Sequence, residues 1–488
     1  MTRRALVSLL VLCAAAGCAV GPRYKRPSIP VPVAWTEGAG VPGSGPALGA
    51  WWTSFHDPVL ERLVARAVEG NLDLKIAAAR IREARAAAGI AAAAGLPQVT
   101  AEASYARTRR SDAVPPFKSA SGDGSPFGKR DQNLFQAGFD AAWEIDVFGG
   151  VRRDREAALA DAQAAEEGRR DVLVTLLADV ARTYTELRGV QQEVRILEDT
   201  LRSERDTVAI TRARFQAGLG AELDVARAEG LLAASTAQRP ELERQARQAI
   251  YRLGVLIGAH PGSLVSELDS PAPIPVGPPD VPPTLPSELL SRRPDLRRAE
   301  RALAAATARV GVARADLFPR FVIAGSLGRR SEDAGDLGSG VSQFWSLVPI
   351  VRWPLVSGGR VRANIRVQDA RQEQALRQYE KTILIALEEV ENALSSLARE
   401  RRREESLRDS VAANQRALDL AMERYSGGLE GFLSVLDAQR SVYAAEDQLV
   451  QAERSAVVSL VAVYKSLGGG WSPGAPDPSA GQIEGGRP

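Results

Sequence analysis

Apolar residues alternate with polar ones in four short stretches of the chain. Every odd position from Phe135 to Val147 is apolar, while the even positions include Gln136, Asp140 and Glu144. This two-residue period predicts β-strands with one apolar and one polar face. Strands are predicted near residues 97–108, 134–148, 319–329 and 344–356. Each is about long enough to cross a bilayer as a tilted strand, although a half-buried soluble hairpin has the same period.

Two other segments repeat their apolar residues at every seventh position. No proline interrupts residues 151–214, and the apolar positions there are Leu173, Val180, Leu187, Val194, Leu201 and Val208. A second stripe runs from Leu376 to Tyr425, with Glu404 as its one interruption. Such heptads predict helices that pack along a coiled-coil-like seam. A helix of about 65 residues reaches about 100 Å, a length that no globular core needs.

Each predicted long helix ends at a glycine, and a returning helix begins within a few residues. The two turns contain Gly218 with Leu219 and Gly428 with Leu429. Glycine favours the left-handed conformation that commonly ends a helix. We therefore predict two helical hairpins, with tips near residues 218 and 428.

Ordered landmarks indicate that the chain is an internal duplication. Pro97 recurs as Pro319, 222 residues later, and Arg214 recurs as Arg424, 210 residues later. Each copy consists of a helix, two strands and a helical hairpin. The predicted segments are residues 61–270 for the first repeat, 271–286 for a proline-rich linker, 287–470 for the second repeat and 471–488 for a disordered tail.

The N-terminus has the features of a bacterial lipoprotein signal. Two arginines precede an apolar stretch that is too short to span a bilayer, and small residues lead directly into Cys18. The similarity to a lipobox implies cleavage before Cys18 and its acylation, and Ala19 after the cysteine implies sorting to the outer membrane. We predict a signal peptide over residues 1–17 and a lipid-anchored extended segment over residues 18–60. A plain secretory signal is the alternative.

Composition narrows the classes of function. The 62 Lys and Arg residues nearly balance the 60 Asp and Glu residues, so the net charge of +2 gives no reason to expect a nucleic-acid partner. The hydrophobic share of 45% is ample for a packed core. His56 and His260 are the only histidines, and no metal-binding spacing occurs. We therefore expect neither an enzyme nor a cofactor.

The strand count predicts an oligomer. Four strands are too few to close a transmembrane barrel, which needs about eight. If these strands cross a membrane, several chains must combine. The alternative is a structural lipoprotein whose coiled coils hold the cell envelope together without a pore. Such a protein has no need of four alternating strands or of a duplication.

Several segments resemble one family. Residues 18–27, CAVGPRYKRP, are similar to the start of mature outer membrane factor lipoproteins, the OprM and NodT branch of the TolC-like family. Residues 214–228 and 424–440 resemble the family's periplasmic turns, and residues 464–471 resemble its C-terminal end. The resemblance covers essentially the whole mature chain.

The resemblance implies a mainly α-helical protein with a transmembrane β-barrel. In the family, a homotrimer with four strands per chain builds one outer-membrane barrel, which a long periplasmic α-helical barrel continues. The implied function is the exit duct of a tripartite efflux system, of the resistance-nodulation-division type, which passively conducts drugs or other small molecules. The implied partners are a periplasmic adaptor, an inner-membrane pump and outer-membrane lipid. An export duct for another pump class, or for type I protein secretion, is the alternative.

The resemblance also implies a gate at the periplasmic end of the duct. Tyr425 and Asp437 occupy positions where TolC-like proteins place gate residues, and Asp224 and Arg227 occupy the corresponding stretch of the first tip. TolC has an arginine where this chain has Glu430, so the resemblance does not decide which of these residues pair to hold the gate closed. Ordinary solvated charges at helix ends are the alternative for each residue.

The two turns are the expected docking point for the adaptor. The implied docking residues are Gly218, Leu219, Gly428 and Leu429. Simple helix termination at the glycines is compatible with this role.

Overall fold

The computed structural model describes residues 19–37, 48–109, 111, 131–279 and 285–471. The α-helices are α1 (Pro58–Gly70), α2 (Leu72–Ala93), α3 (Gly150–Gln216), α4 (Glu222–Thr236), α5 (Arg239–Leu256), α6 (Val265–Leu268), α7 (Pro286–Arg292), α8 (Pro294–Ala315), α9 (Arg360–Ser426) and α10 (Phe432–Ser466). The strands are β1 (Gln98–Arg109), β2 (Asp131–Ile145), β3 (Arg320–Ser331) and β4 (Gln343–Arg352). The predicted mainly α-helical fold with four strands is confirmed. The predicted signal peptide, Cys18 and residues 472–488 of the predicted tail lie outside the described residues.

The four strands form one antiparallel sheet in the order β1-β2-β3-β4. One row across the sheet consists of Ala101, Phe139, Leu327 and Trp345. The adjacent row points to the other side and consists of Thr100, Asp140, Ser326 and Ser346. The sheet therefore has an apolar face and a polar face, as the two-residue period predicts. Within the described part of the chain, β1 and β4 each have one edge without a neighbouring strand.

In each repeat a tryptophan, within β2 or directly after β4, donates a hydrogen bond to the end of the helix that precedes the strands. The indole Nε1 of Trp143 donates to the carbonyl of Gly95 at 3.0 Å. The indole Nε1 of Trp353 donates to the carbonyl of Leu317 at 3.1 Å. The two repeats thus use the same residue type for the same junction.

The long helices α3 and α9 each contain 67 residues. Heptad positions such as Val180 and Leu187 in α3, and Ile383 and Val390 in α9, are buried. The seven-residue stripes therefore mark packed surfaces, because long helices of this kind gain most of their stability from tertiary contacts. None of the described helices combines the length and the apolar composition needed to cross a lipid bilayer.

The chain divides into two compact units, and each takes segments from both repeats. The first unit contains Glu83–Ala162 and Arg301–Leu376, and so holds all four strands. The second unit contains Gln163–Glu300 and the chain from Arg377 onward, and so holds both hairpin tips. The boundaries fall inside helices α2, α3, α8 and α9. The sequence duplication and the compact units are thus two different divisions of the chain.

The prediction of an extended segment up to residue 60 is wrong in its last part. Residues Leu48–Phe55 form 3₁₀ helix, and α1 begins at Pro58. The Asp57 carboxylate accepts from the N–H groups of Val59 and Leu60 at 2.8 and 3.1 Å. An aspartate N-cap followed by proline is a strong helix start, and it ends the extended segment.

The prediction of a disordered tail from residue 471 is wrong for Trp471 itself. Two guanidinium groups lie over the Trp471 ring, that of Arg170 at 4.9 Å and that of Arg297 at 5.2 Å from the ring centroid. Both arginines also contact the buried carboxylate of Glu167, at 2.6 and 2.7 Å. Trp471 therefore belongs to the packed second unit, because two cation–π contacts hold its ring.

Candidate functional site

Both hairpins end in the same turn, within the second unit. Gly218 and Gly428 have φ angles of 73° and 72°, in the left-handed region that ends many helices. In each turn the N–H of the next residue donates to the carbonyl five residues earlier, at 2.8 Å. The turns leave the side chains of Leu219 and Leu429 69% and 73% exposed. Each predicted docking pair is thus an apolar point at the end of a hairpin.

A hydrophobic cluster, here called the tip cluster, joins the two hairpins just inside their turns. Its buried members are Val208, Ala228, Tyr425, Phe432, Val435 and Leu436. Tyr425 at the end of α9 is only 5% exposed, and its ring centroid lies 5.5 Å from that of Phe432. Because Val208 and Ala228 come from the first hairpin and the others from the second, the cluster packs the two tips together. Each large apolar side chain buried there contributes roughly 1.5–3 kcal/mol.

Arg214 extends from the first hairpin to the second. Its guanidinium lies over the Tyr425 ring, 4.7 Å from the ring centroid, and its Nη1 donates to the Ser426 carbonyl at 3.1 Å. The equivalent residue of the second repeat, Arg424, stays within its own tip, where its Nε donates to Glu430 at 3.2 Å. The two equivalent arginines therefore make different contacts, and only Arg214 supplies a polar contact between the tips.

Four of the five predicted gate residues divide into two groups. Tyr425 and Asp224 form the first group. Burial raises the pKa of the Tyr425 phenol, the nearby Asp224 carboxylate raises it further, and the Arg214 guanidinium opposes the rise. Tyr425 is therefore a neutral phenol at physiological pH. In contrast, the exposed side chains of Asp437 and Arg227 have no ion-pair partner among residues 19–37, 48–109, 131–279 and 285–471.

Glu430, the remaining predicted gate residue, makes only local contacts. Besides Arg424, its carboxylate accepts from the Ser434 hydroxyl at 3.0 Å. Ser434 lies in the first turn of α10, so its hydroxyl connects the start of this helix to Glu430. Within one chain, Glu430 therefore stabilises the second tip and does not join the two tips.

A buried polar layer lies behind the tip cluster and connects α3, α4 and α10. Gln439 donates to the Thr207 hydroxyl at 2.7 Å, and the Ser235 hydroxyl donates to the Glu204 carboxylate at 2.8 Å. Burial raises the pKa of Glu204, against the opposing effect of the Ser235 hydrogen bond. One oxygen of Glu204 and the amide oxygen of Gln439 are buried without a partner in the described structure. Two buried oxygens of the layer therefore lack hydrogen bonds, and ionisation of Glu204 lowers the stability of the fold because its charge is not fully compensated.

Three of these residues were not among the predicted gate residues. Arg214 is visible in the sequence only as a landmark of the duplication, while Glu204 and Gln439 carry no motif. Their roles depend on contacts between helices from different parts of the chain. A polar residue within an apolar heptad segment is the one sequence signal that could have indicated Glu204 and Gln439.

The chain directly after Cys18 is held on the first unit. The Val20 N–H donates to the Phe148 carbonyl at 3.1 Å. Gly149 has a φ of 81°, and a Cβ at this position would lie 2.7 Å from the Cα of Ala19. Only glycine permits this close approach. The residues that follow Cys18 are therefore fixed beside the end of β2 where α3 begins.

The two histidines lie at the starts of helical segments. The Nδ1 of His260 accepts from the Gly262 N–H at 3.1 Å and so caps a short 3₁₀ helix. His56 has a positive φ of 50°, in the connection before α1. In the described parts of the chain no group of His, Cys, Asp and Glu side chains is arranged to hold a metal ion.

Comparison with known proteins agrees with this geometry. The family model for outer membrane efflux proteins matches residues 63–259 and 285–469. The solvent efflux pump outer membrane protein SrpC of Pseudomonas putida is 34% identical over 463 residues, which cover 93% of this chain and 96% of SrpC. Nodulation protein T of Rhizobium leguminosarum bv. trifolii is 31% identical over 462 residues, covering 94% and 95% of the two chains.

A solved structure extends the comparison to the fold. The outer-membrane channel OprN superposes with a TM-score of 0.86 and 38% sequence identity, over 93% of this chain and 100% of the OprN chain. The first matched segment falls in the first predicted repeat, the second begins two residues before the second predicted repeat, and together they cover most of the chain. This chain is therefore a member of the outer membrane efflux protein family.

Proposed function

We propose that three copies of this chain form the outer-membrane exit duct of a tripartite efflux system of the resistance-nodulation-division type. The duct passively conducts drugs or other small molecules, which an inner-membrane pump and a periplasmic adaptor deliver to it. The chain has no need to bind its cargo tightly, because the pump supplies the energy.

The observation that carries this proposal is the sheet, which has one apolar face and, within the described residues, two unpaired edges. In hydrocarbon an unpaired backbone group costs several kcal/mol, so the edges of β1 and β4 require partners. Pairing of β4 in one copy with β1 in the next satisfies both edges. Three copies then close a barrel of twelve strands, within the range of outer-membrane barrels.

The two faces of the sheet fit a water-filled lumen inside a membrane. The apolar row with Phe139, Leu327 and Trp345 faces lipid in this arrangement. Asp140 and Glu144, on the polar face, line the interior. Charged side chains are tolerated there because water solvates them.

The hairpin tips fit the periplasmic end of the duct. The tip cluster and the contact of Arg214 with Tyr425 and Ser426 hold the two hairpins of one chain together, which supports a closed resting state. Asp437 and Arg227 are exposed and are suited to contacts with a second copy. The exposed Leu219 and Leu429 offer the adaptor an apolar docking point, since exposed apolar clusters commonly mark interaction sites.

A lipid anchor at Cys18 is part of the proposal. The contact between Val20 and Phe148 fixes the chain near the end of the sheet, so an acyl chain on Cys18 can reach the same membrane. Radiolabelled palmitate should label the wild-type protein and not the Cys18→Ser variant. Equal labelling of both would contradict the anchor alone.

The proposal is tested by electron microscopy of the mature full-length protein in detergent. We expect threefold particles with a barrel at one end and a helical tube of about 100 Å, as the helix lengths require. A compact monomer, or a rod without a barrel, would contradict the duct and favour a structural lipoprotein.

A second experiment separates efflux from the alternative functions. Deletion of the gene should increase cellular accumulation of a fluorescent efflux dye, and expression of the wild-type chain should restore low accumulation. Unchanged dye accumulation together with loss of a secreted protein would favour type I secretion.

A further inference from the structure

The apolar face of the sheet has one charged residue between its aromatic rows. The row Ala103, Ala137, Arg329 and Gln343 belongs to this face, because it lies two residues from the row that contains Phe139 and Leu327. Arg329 is exposed. A lysine or arginine that faces lipid is costly at mid-membrane and less so near the interface. The position of Arg329 therefore needs a compensating anion or polar surface.

A groove of about 550 Å³ lies on this row. Ala103 and Ala137 form a low floor, and Phe139 and Leu327 form one wall. On the other side the stacked rings of Tyr105 and Phe135, with centroids 4.6 Å apart, stand in the next row of the same face. The lining also includes Gln343 and, from a row of the opposite face, Glu102, Gly138 and Gly328. The groove is thus apolar along its alanine floor and has a guanidinium at one end.

Contacts hold the Arg329 guanidinium at the end of the groove that is nearer the β3–β4 connection. Its Nη1 donates to the carbonyls of Leu337 and Ser339, at 3.0 and 2.9 Å. Within the described structure its Nε and Nη2 donate no hydrogen bond to the protein. Arg107, also exposed, lies on the same face just beyond the ring of Tyr105. Two guanidinium groups therefore flank the aromatic row at this end of the sheet.

We propose that this groove binds a phosphorylated, multiply acylated glycolipid of the outer leaflet, lipid A. An acyl chain lies along the alanine floor, and Arg329 binds a phosphate group with its remaining N–H groups. Charge complementarity selects this occupant, since a guanidinium binds phosphate with strong, geometrically matched hydrogen bonds. The inference rests on the proposed function, which places the helices in the periplasm and the β3–β4 connection at the outer surface.

The test uses the full-length protein in nanodiscs of phosphatidylcholine that contain a small share of bis-phosphorylated lipid A. Native mass spectrometry counts the lipid A molecules that stay bound. We expect Arg329→Gln to weaken retention about tenfold, because a charge-assisted hydrogen bond of about 1.4 kcal/mol corresponds to a factor of ten. Ala137→Leu, which fills the groove without changing charge, should also weaken retention.

Arg330→Gln is the matched control. Arg330 is the next residue along β3, but its side chain lies on the polar face, where it contacts Gln136 and the Phe344 ring. This variant should retain lipid A like the wild type. Equal losses for both arginine variants, or equal retention of phosphatidylglycerol and lipid A by the wild type, would overturn the inference.

Insertion is observed first, by the presence of threefold particles in the nanodiscs. A wild-type protein that does not insert would overturn the proposed function and this inference together. A protein that inserts but retains no lipid A would overturn only the lipid site.

Discussion

Asn71 and Arg293 occupy equivalent positions in the two repeats. Each donates a side-chain hydrogen bond to the last residue of a helix that returns from a hairpin tip, α5 or α10. The Asn71 amide donates to the Leu256 carbonyl at 2.9 Å, and Arg293 donates to the Ser466 carbonyl at 3.0 Å. The donors are 222 residues apart, as are Pro97 and Pro319, while the acceptors are 210 residues apart, as are Arg214 and Arg424. The duplication therefore preserves a contact although it changes the residue that makes it.

Replacement of Asn71 should destabilise the second unit. Asn71→Ala removes the bond to Leu256 and leaves the buried Leu74 N–H without its side-chain acceptor, at a cost of about 1–3 kcal/mol. Thermal unfolding of the detergent-solubilised protein measures the loss. Lys75→Ala, at an exposed position in the first turn of α2, is the control and should change stability by at most about 0.5 kcal/mol. Equal effects would show that the buried contact contributes little.

Removal of Arg214 should weaken closure of the tips. Arg214→Ala loses a cation–π contact and a hydrogen bond between the hairpins, together roughly 1–2 kcal/mol, or about a tenfold rise in open probability. Conductance in planar lipid bilayers measures the open probability directly.

The duplication provides the control for that experiment. Arg424→Ala changes the equivalent residue, whose contact with Glu430 stays within one tip. It should leave the conductance near the wild-type value. If both variants open the channel equally, the contact between the tips is not what closes it.

Glu204 should make stability fall as pH rises. Burial raises the pKa of Glu204 above its ordinary value of 4.5. The contribution of the protonated side chain to the free energy of unfolding is therefore complete below pH 4.5 and is lost as the pH rises through the raised pKa. Glu204→Gln cannot ionise and should raise the Tm at pH 7.5, with a difference that disappears towards pH 4.

An exposed carboxylate of opposite behaviour is the control for Glu204. The hydrogen bond from Arg244 lowers the pKa of Glu241 to about 2. Because Glu241 is fully exposed, Glu241→Gln should leave the Tm nearly unchanged at pH 7.5. A Tm of Glu204→Gln equal to that of the wild type at both pH values would contradict a buried ionised Glu204.

Charge at the exposed leucines should prevent adaptor docking without affecting the fold. We expect the double variant Leu219→Asp and Leu429→Asp to assemble normally, because both side chains are exposed and neither belongs to the tip cluster. Efflux dye should accumulate in cells as it does after gene deletion. The Met variants at the same positions keep the apolar surface and should retain efflux. Full efflux by the Asp variant would contradict a role of Leu219 and Leu429 in adaptor docking.

Local periodicity made much of the fold predictable. The alternation around Phe139 indicated a strand, and the heptads around Val180 and Ile383 indicated long helices, because each pattern reflects one face of one element. The wrong boundaries arose where a local cap or a distant contact decided the outcome. Asp57 starts a helix inside the predicted extended segment, and Trp471 is ordered by arginines far away in the sequence.

The candidate site was predictable in position but not in its contacts. The glycines at 218 and 428 located both turns, since a left-handed residue at a helix end is a local requirement. Which arginine joins the tips was not predictable, because Arg214 and Arg424 occupy equivalent positions and differ only in their tertiary neighbours. The roles of Asp437 and Arg227 remain predictions.

The unpaired edges of β1 and β4 have a consequence for biogenesis. In the proposed assembly no single copy can enter hydrocarbon with its backbone satisfied, so membrane insertion and association become one concerted event. The rate of that event depends steeply on the local concentration of newly exported chains. One copy with a blocked edge would also trap two sound ones, so a defective allele of this kind is dominant over the normal gene.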